Sequence, residues 1–292
     1  MSVIPLEVKG LAKSFGANLV LQDVELRVEP GMIVGLVGTN GSGKSTLIKC
    51  LLGLLRPSAG NVSVLGDTSG DLSASTKSRI AYVAQDVRLF PWMRVEQLLA
   101  YVSAFYHTWD TEWVAQLVIR WSINLSDKVG VLSPGQLQKL AIVLAIGHRP
   151  ELLLLDEPVA SLDPVGRREF LRSIMELTAE YGPTILFSTH ITSDLERIAS
   201  HIAVLQHGKI RCFEDLDTLK EQFKRLRIRS NRQLPDSFQV PGALRTEVDG
   251  STALISMPNV SAATIEQLRG DWQAEVDVED LNLEEIFMEL HQ

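Results

Sequence analysis

The chain is short of cysteine, of long apolar runs and of basic charge, and each shortage removes a class of function. Its two cysteines, Cys50 and Cys212, stand far apart without metal-like spacing. Buried or inert thiols and a cytosolic setting fit them best. No apolar run approaches the roughly 18 residues expected of a membrane-crossing helix, so any membrane role is expected to come through a partner. The opening residues MSVIPLEVKG lack the basic and apolar regions of a secretory signal. Lys and Arg number 28 against 36 Asp and Glu, a net charge of −8. Nothing global therefore points to nucleic acid, although charge alone leaves a local basic patch open. Repeats and low-complexity tracts are absent. The 45% apolar content is that of a globular protein, and 292 residues allow one large domain plus a smaller one.

What the chain does have is Gly38-Thr39-Asn40-Gly41-Ser42-Gly43-Lys44-Ser45-Thr46. This fits G-x-x-x-x-G-K-[ST], with Gly38, Gly43, Lys44 and Ser45 in the fixed places. Residues 32–37 form a short apolar run that reads as a buried strand, and residues 47–52 read as a helix. Strand, loop and helix in that order are the setting a phosphate-binding loop requires, and a plain Gly-rich turn lacks it. Glycine lets the backbone wrap closely round phosphate oxygens. The helix start offers unpaired N–H groups and a positive dipole end. Lys44 is placed to reach the outer phosphates and the Ser45 hydroxyl to ligate Mg²⁺.

Elsewhere the pattern alternates between strand and helix. Residues 3–9 and 19–28 read as half-buried strands, with turn-like residues 13–18 between them. Further strands are expected at 62–66, 80–84, 184–188, 202–205 and 209–213, the last two flanking a hairpin turn at Gln206-His207-Gly208. The loop helix is expected to end near Leu55, and the Ser-rich segment 67–78 reads as a loop or short helix. Residues 95–121 carry apolar side chains at helical spacing, bounded upstream by Pro91. About residues 86–148 look like a helical insert, which closes on Leu132-Ser133-Pro134-Gly135-Gln136 and a helix through Gly147. Residues 164–181 are helical by pattern. After about Leu219 the character changes: Lys220, Lys224, Arg225, Arg227, Arg229 and Arg232 form a basic stretch. It reads either as a contact for anionic lipid or as a solvated linker helix or strand. A hairpin at 243–256, a helix at 261–269, a strand at 274–278 and a helix at 281–290 follow. The expected domains are 1–219 and a small α+β appendix, 220–292.

Four leucines, Leu152 to Leu155, run into Asp156-Glu157-Pro158. An unbroken short apolar run reads as a strand buried on both faces. At its carboxyl end Asp156 is placed to hold Mg²⁺, and Glu157 to orient or deprotonate an attacking water. An Asp-Glu pair alone is more often a surface turn; the leucines and the upstream loop reverse that.

With these residues in order, residues 3–215 resemble the ATP-binding subunits of ABC transporters. Gln85 resembles the Q-loop glutamine, Leu132-Ser133-Pro134-Gly135-Gln136 the LSGGQ signature, Ser161-Leu162-Asp163 the D-loop, His190 the switch histidine and Phe15 the aromatic A-loop residue. The resemblance implies an α/β fold: a P-loop NTPase core with an N-terminal antiparallel β subdomain, the helical insert and the appendix. It implies an ATPase using ATP and Mg²⁺. Glu157, His190 and Gln85 would be catalytic, and Ser45, Gln85 and Asp156 would hold the metal. Gly38, Asn40, Gly41, Gly43, Lys44, Ser45 and Thr46 would hold the phosphates, with Phe15 stacked on adenine unless it is a core residue. Ser133, Gly135 and Gln136 would serve the nucleotide of a second, most simply identical, subunit in a head-to-tail dimer.

Pro134 stands where the family has Gly. It removes one N–H, but is tolerated just after a helix cap. The resemblance also implies a separate integral membrane permease, hence a place on the cytoplasmic face of the membrane. Phe90, Trp92 and Met93, just after the Q-loop, would form either its docking surface or insert core. No nucleic acid is expected. The tail, ending in Leu283-Glu284-Glu285-Ile286-Phe287, resembles those of ABC-2-type, exporter-like systems. The rival reading is a soluble ABC ATPase acting on ribosomes or DNA. Such proteins usually carry a second cassette or a long coiled coil, and neither is seen here.

Overall fold

Leu6, Val8 and Leu11 are buried along β1 (Leu6–Phe15), and Leu21, Val24, Leu26 and Val28 along β2 (Asn18–Val28). The two strands pair antiparallel with several register shifts. β1 thus runs through much of the expected turn, which narrows to its tip. This is a computed structural model that describes residues 3–235 and 237–290. The chain divides into two compact units, Met1–Phe213 and Glu214–Gln292.

In the first unit the chain continues through β3 (Ile33–Val37), α1 (Lys44–Leu51), β4 (Ala59–Val64), β5 (Asp67–Thr68), α2 (Ala74–Lys77) and β6 (Ile80–Val83). The helices α3 (Val95–Ser103), α4 (Thr111–Arg120) and α5 (Pro134–Ile146) come next. Then follow β7 (Leu152–Asp156), α6 (Pro164–Tyr181), β8 (Thr184–Thr189), α7 (Thr192–Ile198), β9 (His201–Gln206) and β10 (Lys209–Asp215). One sheet has the order β2-β1-β4-β5 and is antiparallel; the other has the order β10-β9-β3-β8-β7-β6. In the second sheet β9, β3, β8, β7 and β6 run parallel. Leu47, Ile48, Cys50 and Leu51 of α1 share one buried cluster with residues of both sheets, from Leu6 and Val62 to Val34, Leu154 and Leu186. α1 is thereby fixed between the sheets, with its N-terminus at the carboxyl end of β3. Phe170 of α6 meets Phe187 of β8 edge-on, centroids 5.9 Å apart, so a helix also covers the sheet through Phe187.

Three expectations change. The loop helix stops at Leu51, short of Leu55, because the chain turns at Gly53 (φ +68), where a Cβ would lie 2.0 Å from the Ser69 carbonyl oxygen. The stretch 95–121 is two helices, since the Asp110 side chain accepts from Trp113 N at 2.8 Å and starts a new one. The short α7 was not anticipated.

The second unit contains α8 (Leu216–Gln222), β11 (Phe223–Ser230), β12 (Arg245–Asp249), β13 (Thr252–Pro258), α9 (Ala262–Trp272), β14 (Ala274–Asp280) and α10 (Leu283–Leu290). Its antiparallel sheet has the order β12-β13-β11-β14. Leu226, Ile228, Ile255 and Val276 pack with Phe238 and Leu268 on one face. The basic stretch is mostly strand β11, and four of its six cations pair with carboxylates within the unit. Lys224 pairs with Asp280 at 2.6 Å, Arg225 with Glu285 at 2.8 Å, Arg227 with Glu279 at 2.6 Å and Arg229 with Asp277 at 3.3 Å. The Arg227 guanidinium holds the Glu279 carboxyl below its ordinary range. These pairings argue against a cationic lipid-binding face. Among the described residues, no helix is long and apolar enough to cross a membrane.

Candidate nucleotide site

The loop between β3 and α1 is shaped by its glycines at two points. Gly43 has φ +109, and a Cβ there would lie 2.7 Å from Leu21 Cδ2; a Cβ on Gly38 would lie 2.5 Å from the Leu205 carbonyl oxygen. Gly43 is also the cap of α1 and offers no side-chain acceptor, so the first N–H groups of the helix stay available to an anion. Asn40, Gly41, Gly43, Lys44, Ser45 and Thr46 line a cavity of about 170 Å³. Val20, Gln85 and Glu157 complete its wall.

Lys44 is buried at the floor. Its Nζ donates to the Gly38 carbonyl at 2.8 Å and the Thr39 carbonyl at 3.3 Å, and lies 3.6 Å from Glu157 Oε1. The Ser45 hydroxyl donates to Asp156 Oδ1 at 3.0 Å. The same oxygen accepts from the Ser188 hydroxyl at 2.9 Å. Ser188 is the residue the sequence reading missed. It is the buried polar member at the end of Ile185-Leu186-Phe187, and that position was its only signal.

Glu157 follows β7 in the left-handed region, at φ +50. A non-glycine residue there costs of order 1–3 kcal/mol and persists only where its surroundings hold it. Here Glu157 N donates to the Ser188 carbonyl and to Ser188 Oγ, both at 3.1 Å. Its Oε2 lies 2.8 Å from Nδ1 of His190, which follows β8. The carboxylate, 5% exposed, is therefore fixed between Lys44 and His190. Burial, with Asp156 nearby, pushes the Tyr82 hydroxyl on β6 up to about 12, so it stays neutral beside the site.

An oxygen-only donor set of hydroxyl and carboxylate suits Mg²⁺, which takes one or two carboxylates and fills the rest of its octahedron with water and phosphate. Ser45 and Asp156 fit that description, with Gln85 at the rim of the same cavity. Among the described residues no group of three or more His, Cys, Asp or Glu could hold an ion alone.

Phe15, Ser133, Gly135 and Gln136 do not line the cavity. Phe15 ends β1 with 47% of its surface exposed and Lys13 Nζ 4.9 Å from its ring centroid, so it is no core residue. Ser133 caps α5: its Oγ accepts from Gln136 N at 3.3 Å, while Gln136 Oε1 accepts from Ser133 N at 2.9 Å. Pro134 takes the first helical position, where no N–H is missed. The Ser133 hydroxyl keeps its own proton for a further acceptor. Phe90 and Trp92 are 40% and 71% exposed, which sets aside the insert-core reading for both; Met93 is half-buried.

Comparison with known proteins agrees with this geometry. The family described as ABC transporter matches residues 21–160. An AAA domain family, putative AbiEii toxin, matches the narrower span 128–193. The uncharacterized ABC transporter ATP-binding protein YdbJ of Bacillus subtilis (strain 168) is 32% identical over 208 residues, 70% of this chain and 68% of its own. The aliphatic sulfonates import ATP-binding protein SsuB 3 of Pseudomonas syringae pv. syringae (strain B728a) is 35% identical, covering 79% of this chain and 82% of its own. A solved ATP-binding subunit of an ABC transporter superposes with a TM-score of 0.68 at 32% identity, over 74% of this chain and 92% of that one. A dimeric bacterial ABC transporter cassette shares the fold, with a TM-score of 0.65 at 23% identity, over 72% of this chain and 98% of that one. The phosphate loop, the acidic strand end and these likenesses together establish that the chain belongs to the ABC transporter family as an ATP-binding, ATP-hydrolysing subunit.

Proposed function

We propose that this ATPase works as half of a head-to-tail dimer, most simply of identical subunits, which closes on two ATP molecules and drives a separate integral membrane permease from its cytoplasmic face. The observation that carries the hydrolytic part is Glu157, held at φ +50 between Lys44 and His190. Lys44 binds the outer phosphates by charge-assisted hydrogen bonds. Asn40, Gly41, Gly43 and Thr46 supply the rest of the cradle with Gly38. Glu157 accepts a proton from the attacking water, and Gln85 orients that water at the cavity rim. His190, hydrogen-bonded to Glu157, turns its other ring nitrogen to the γ-phosphate. Ser45, Asp156 and Gln85 would hold Mg²⁺, which would supply positive charge against that building on the phosphate oxygens. Phe15 stacks its exposed ring on adenine.

Ser133, Gly135 and Gln136 act on the other subunit's nucleotide, in keeping with their place outside the lining of this chain's own cavity. Loss of the γ-phosphate removes their contact and lets the dimer open. The ATP-binding domain is taken as the expected 1–219, with 86–148 as its insert and 220–292 as an appendix, although the compact units divide six residues earlier, after Phe213 and ahead of α8. The permease docks where Phe90 and Trp92 stand exposed, ring centroids 5.3 Å apart. Replacing Trp92 with Ala is expected to leave basal ATPase intact and abolish permease-dependent transport; loss of folding instead would contradict docking.

The subfamily reading is ABC-2-type and exporter-like. It rests on the α+β appendix that ends in Leu283-Glu284-Glu285-Ile286-Phe287. The relatives with import names lean the other way. Transport in vesicles carrying the purified complex decides the direction. Export is expected, and uptake dependent on an external binding protein would contradict it.

A further inference from the structure

Arg167 and Asp194 face each other between α6 and α7, with Arg167 Nε 3.7 Å from Asp194 Oδ2. Asp194 is 5% exposed, and neither of these two atoms has a hydrogen-bond partner. Burial pushes the Asp194 carboxyl up, against the pull of Arg167 and Arg197. A buried ion pair this loose is a poor way to add stability, because desolvation offsets the Coulombic gain. Its position is more telling. α7 starts just after His190, and α6 starts just after Ser161-Leu162-Asp163, with the Asp163 side chain accepting from Gly166 N at 2.6 Å. The Ser161 carbonyl oxygen lies beside Gly135, where an added Cβ would come within 3.2 Å of it. Neighbouring elements therefore lead from Glu157 and His190, through α7 and α6, to the start of α5 at Ser133.

We propose that Arg167 and Asp194 are a positioning pair that couples the two nucleotide sites of the dimer. The inference rests on the dimer reading above. The pair transmits movement of His190 to the loop 161–163 and so to the signature at Ser133 and Gly135, which serves the other subunit's nucleotide. The 3.7 Å gap leaves room for this. Closing it to an ordinary charge-assisted hydrogen bond of about 2.8 Å takes up roughly 1 Å between the two side chains, and through them between the helices that carry them. A misplacement of about that size at a reacting centre is enough to change rate by orders of magnitude. Nothing else in the described first turn of α6 offers α7 a cation in ion-pair range.

The test uses the full chain with Asp194→Asn, which keeps shape and removes charge. The expected result is a fall in kcat of about tenfold, with KM for ATP changed less than about twofold and positive cooperativity in ATP lost. Asp194→Glu, which keeps the charge, is expected to restore cooperativity. A lower melting temperature with kcat and cooperativity of the folded protein unchanged would show a merely structural pair and overturn the proposal. Should Asp194→Asn not fold, Arg167→Gln, which removes the charge on the more exposed side of the pair, reads the same split. ATP-driven dimerisation of Glu157→Gln is measured alongside. If that dimer forms while Asp194→Asn behaves as wild type, the coupling fails and the dimer reading stands. If no dimer forms, the dimer reading itself fails.

Discussion

Ser188→Ala isolates what holds the acidic strand end in place. Ser188 is fully buried, and its hydroxyl both donates to Asp156 Oδ1 at 2.9 Å and accepts from Glu157 N at 3.1 Å. A hydrogen bond to a charged group contributes roughly 1.5–3 kcal/mol, and a neutral one about 0.5–1.5 kcal/mol. The second loss is partial, because Glu157 N keeps the Ser188 carbonyl at 3.1 Å. The net weakening at the site is therefore about 2 kcal/mol. Asp156 would keep Ser45 as a partner but lose the fixed direction of its Oδ1, and Glu157 would be freer to relax from φ +50. If that weakening falls on the transition state, kcat drops about 30-fold. ATP affinity, proposed to rest on Lys44 and the loop N–H groups, is expected to change less than about threefold. Steady-state phosphate release gives kcat, and equilibrium titration with a fluorescent ATP analogue gives affinity. A higher Mg²⁺ requirement should accompany the fall. A folded variant with kcat within about twofold of the parent would refute the reasoning.

Two further outcomes follow from the same geometry. Lys44→Ala removes the buried cation 3.6 Å from Glu157 and the proposed phosphate contact, so ATP binding or turnover is expected to disappear in calorimetry and ATPase assays. Retention of both would contradict the assignment of the loop. Pro134→Gly restores one N–H at the first helical position while the Ser133–Gln136 capping box remains. A modest rise in ATPase activity is expected, and a rise beyond about a hundredfold, roughly 2.7 kcal/mol, would show that Pro134 impairs the signature far more than its position suggests.

Much of this was legible before the structure. The bounds of α6, Pro164–Tyr181, coincide with the sequence pattern because Asp163 caps one end, Pro164 opens the helix and Gly182 at φ +60 closes it. β7 and β8 were legible as unbroken apolar runs buried on both faces. The meeting of Lys44, Ser45, Asp156 and Glu157 was anticipated from the phosphate loop and the acidic strand end, and that of His190 from the resemblance to ABC transporter subunits. The short helices α7 and α8 were not, since seven residues carry too little periodicity to register. Nor was Ser188, because one serine at a strand end has no pattern of its own. The pairing of the arginines on β11 depended on register with β14, which sets Glu279 opposite Arg225 and Asp277 opposite Arg227, within diagonal reach of Arg227 and Arg229 respectively. A basic stretch read alone gives no sign of acids some fifty residues away, roughly the spacing that a sheet of this kind removes.

The composite site is tested most directly by the oligomeric state of Glu157→Gln. That substitution removes the proposed base while leaving Lys44, Ser45 and Asp156 in place. Size-exclusion chromatography with light scattering, with and without ATP and Mg²⁺, reads the result. The expected outcome is tight ATP binding, very slow hydrolysis and a dimer that forms with ATP and dissociates with ADP. A protein that binds ATP yet stays monomeric at all concentrations tested would contradict a site shared between two subunits.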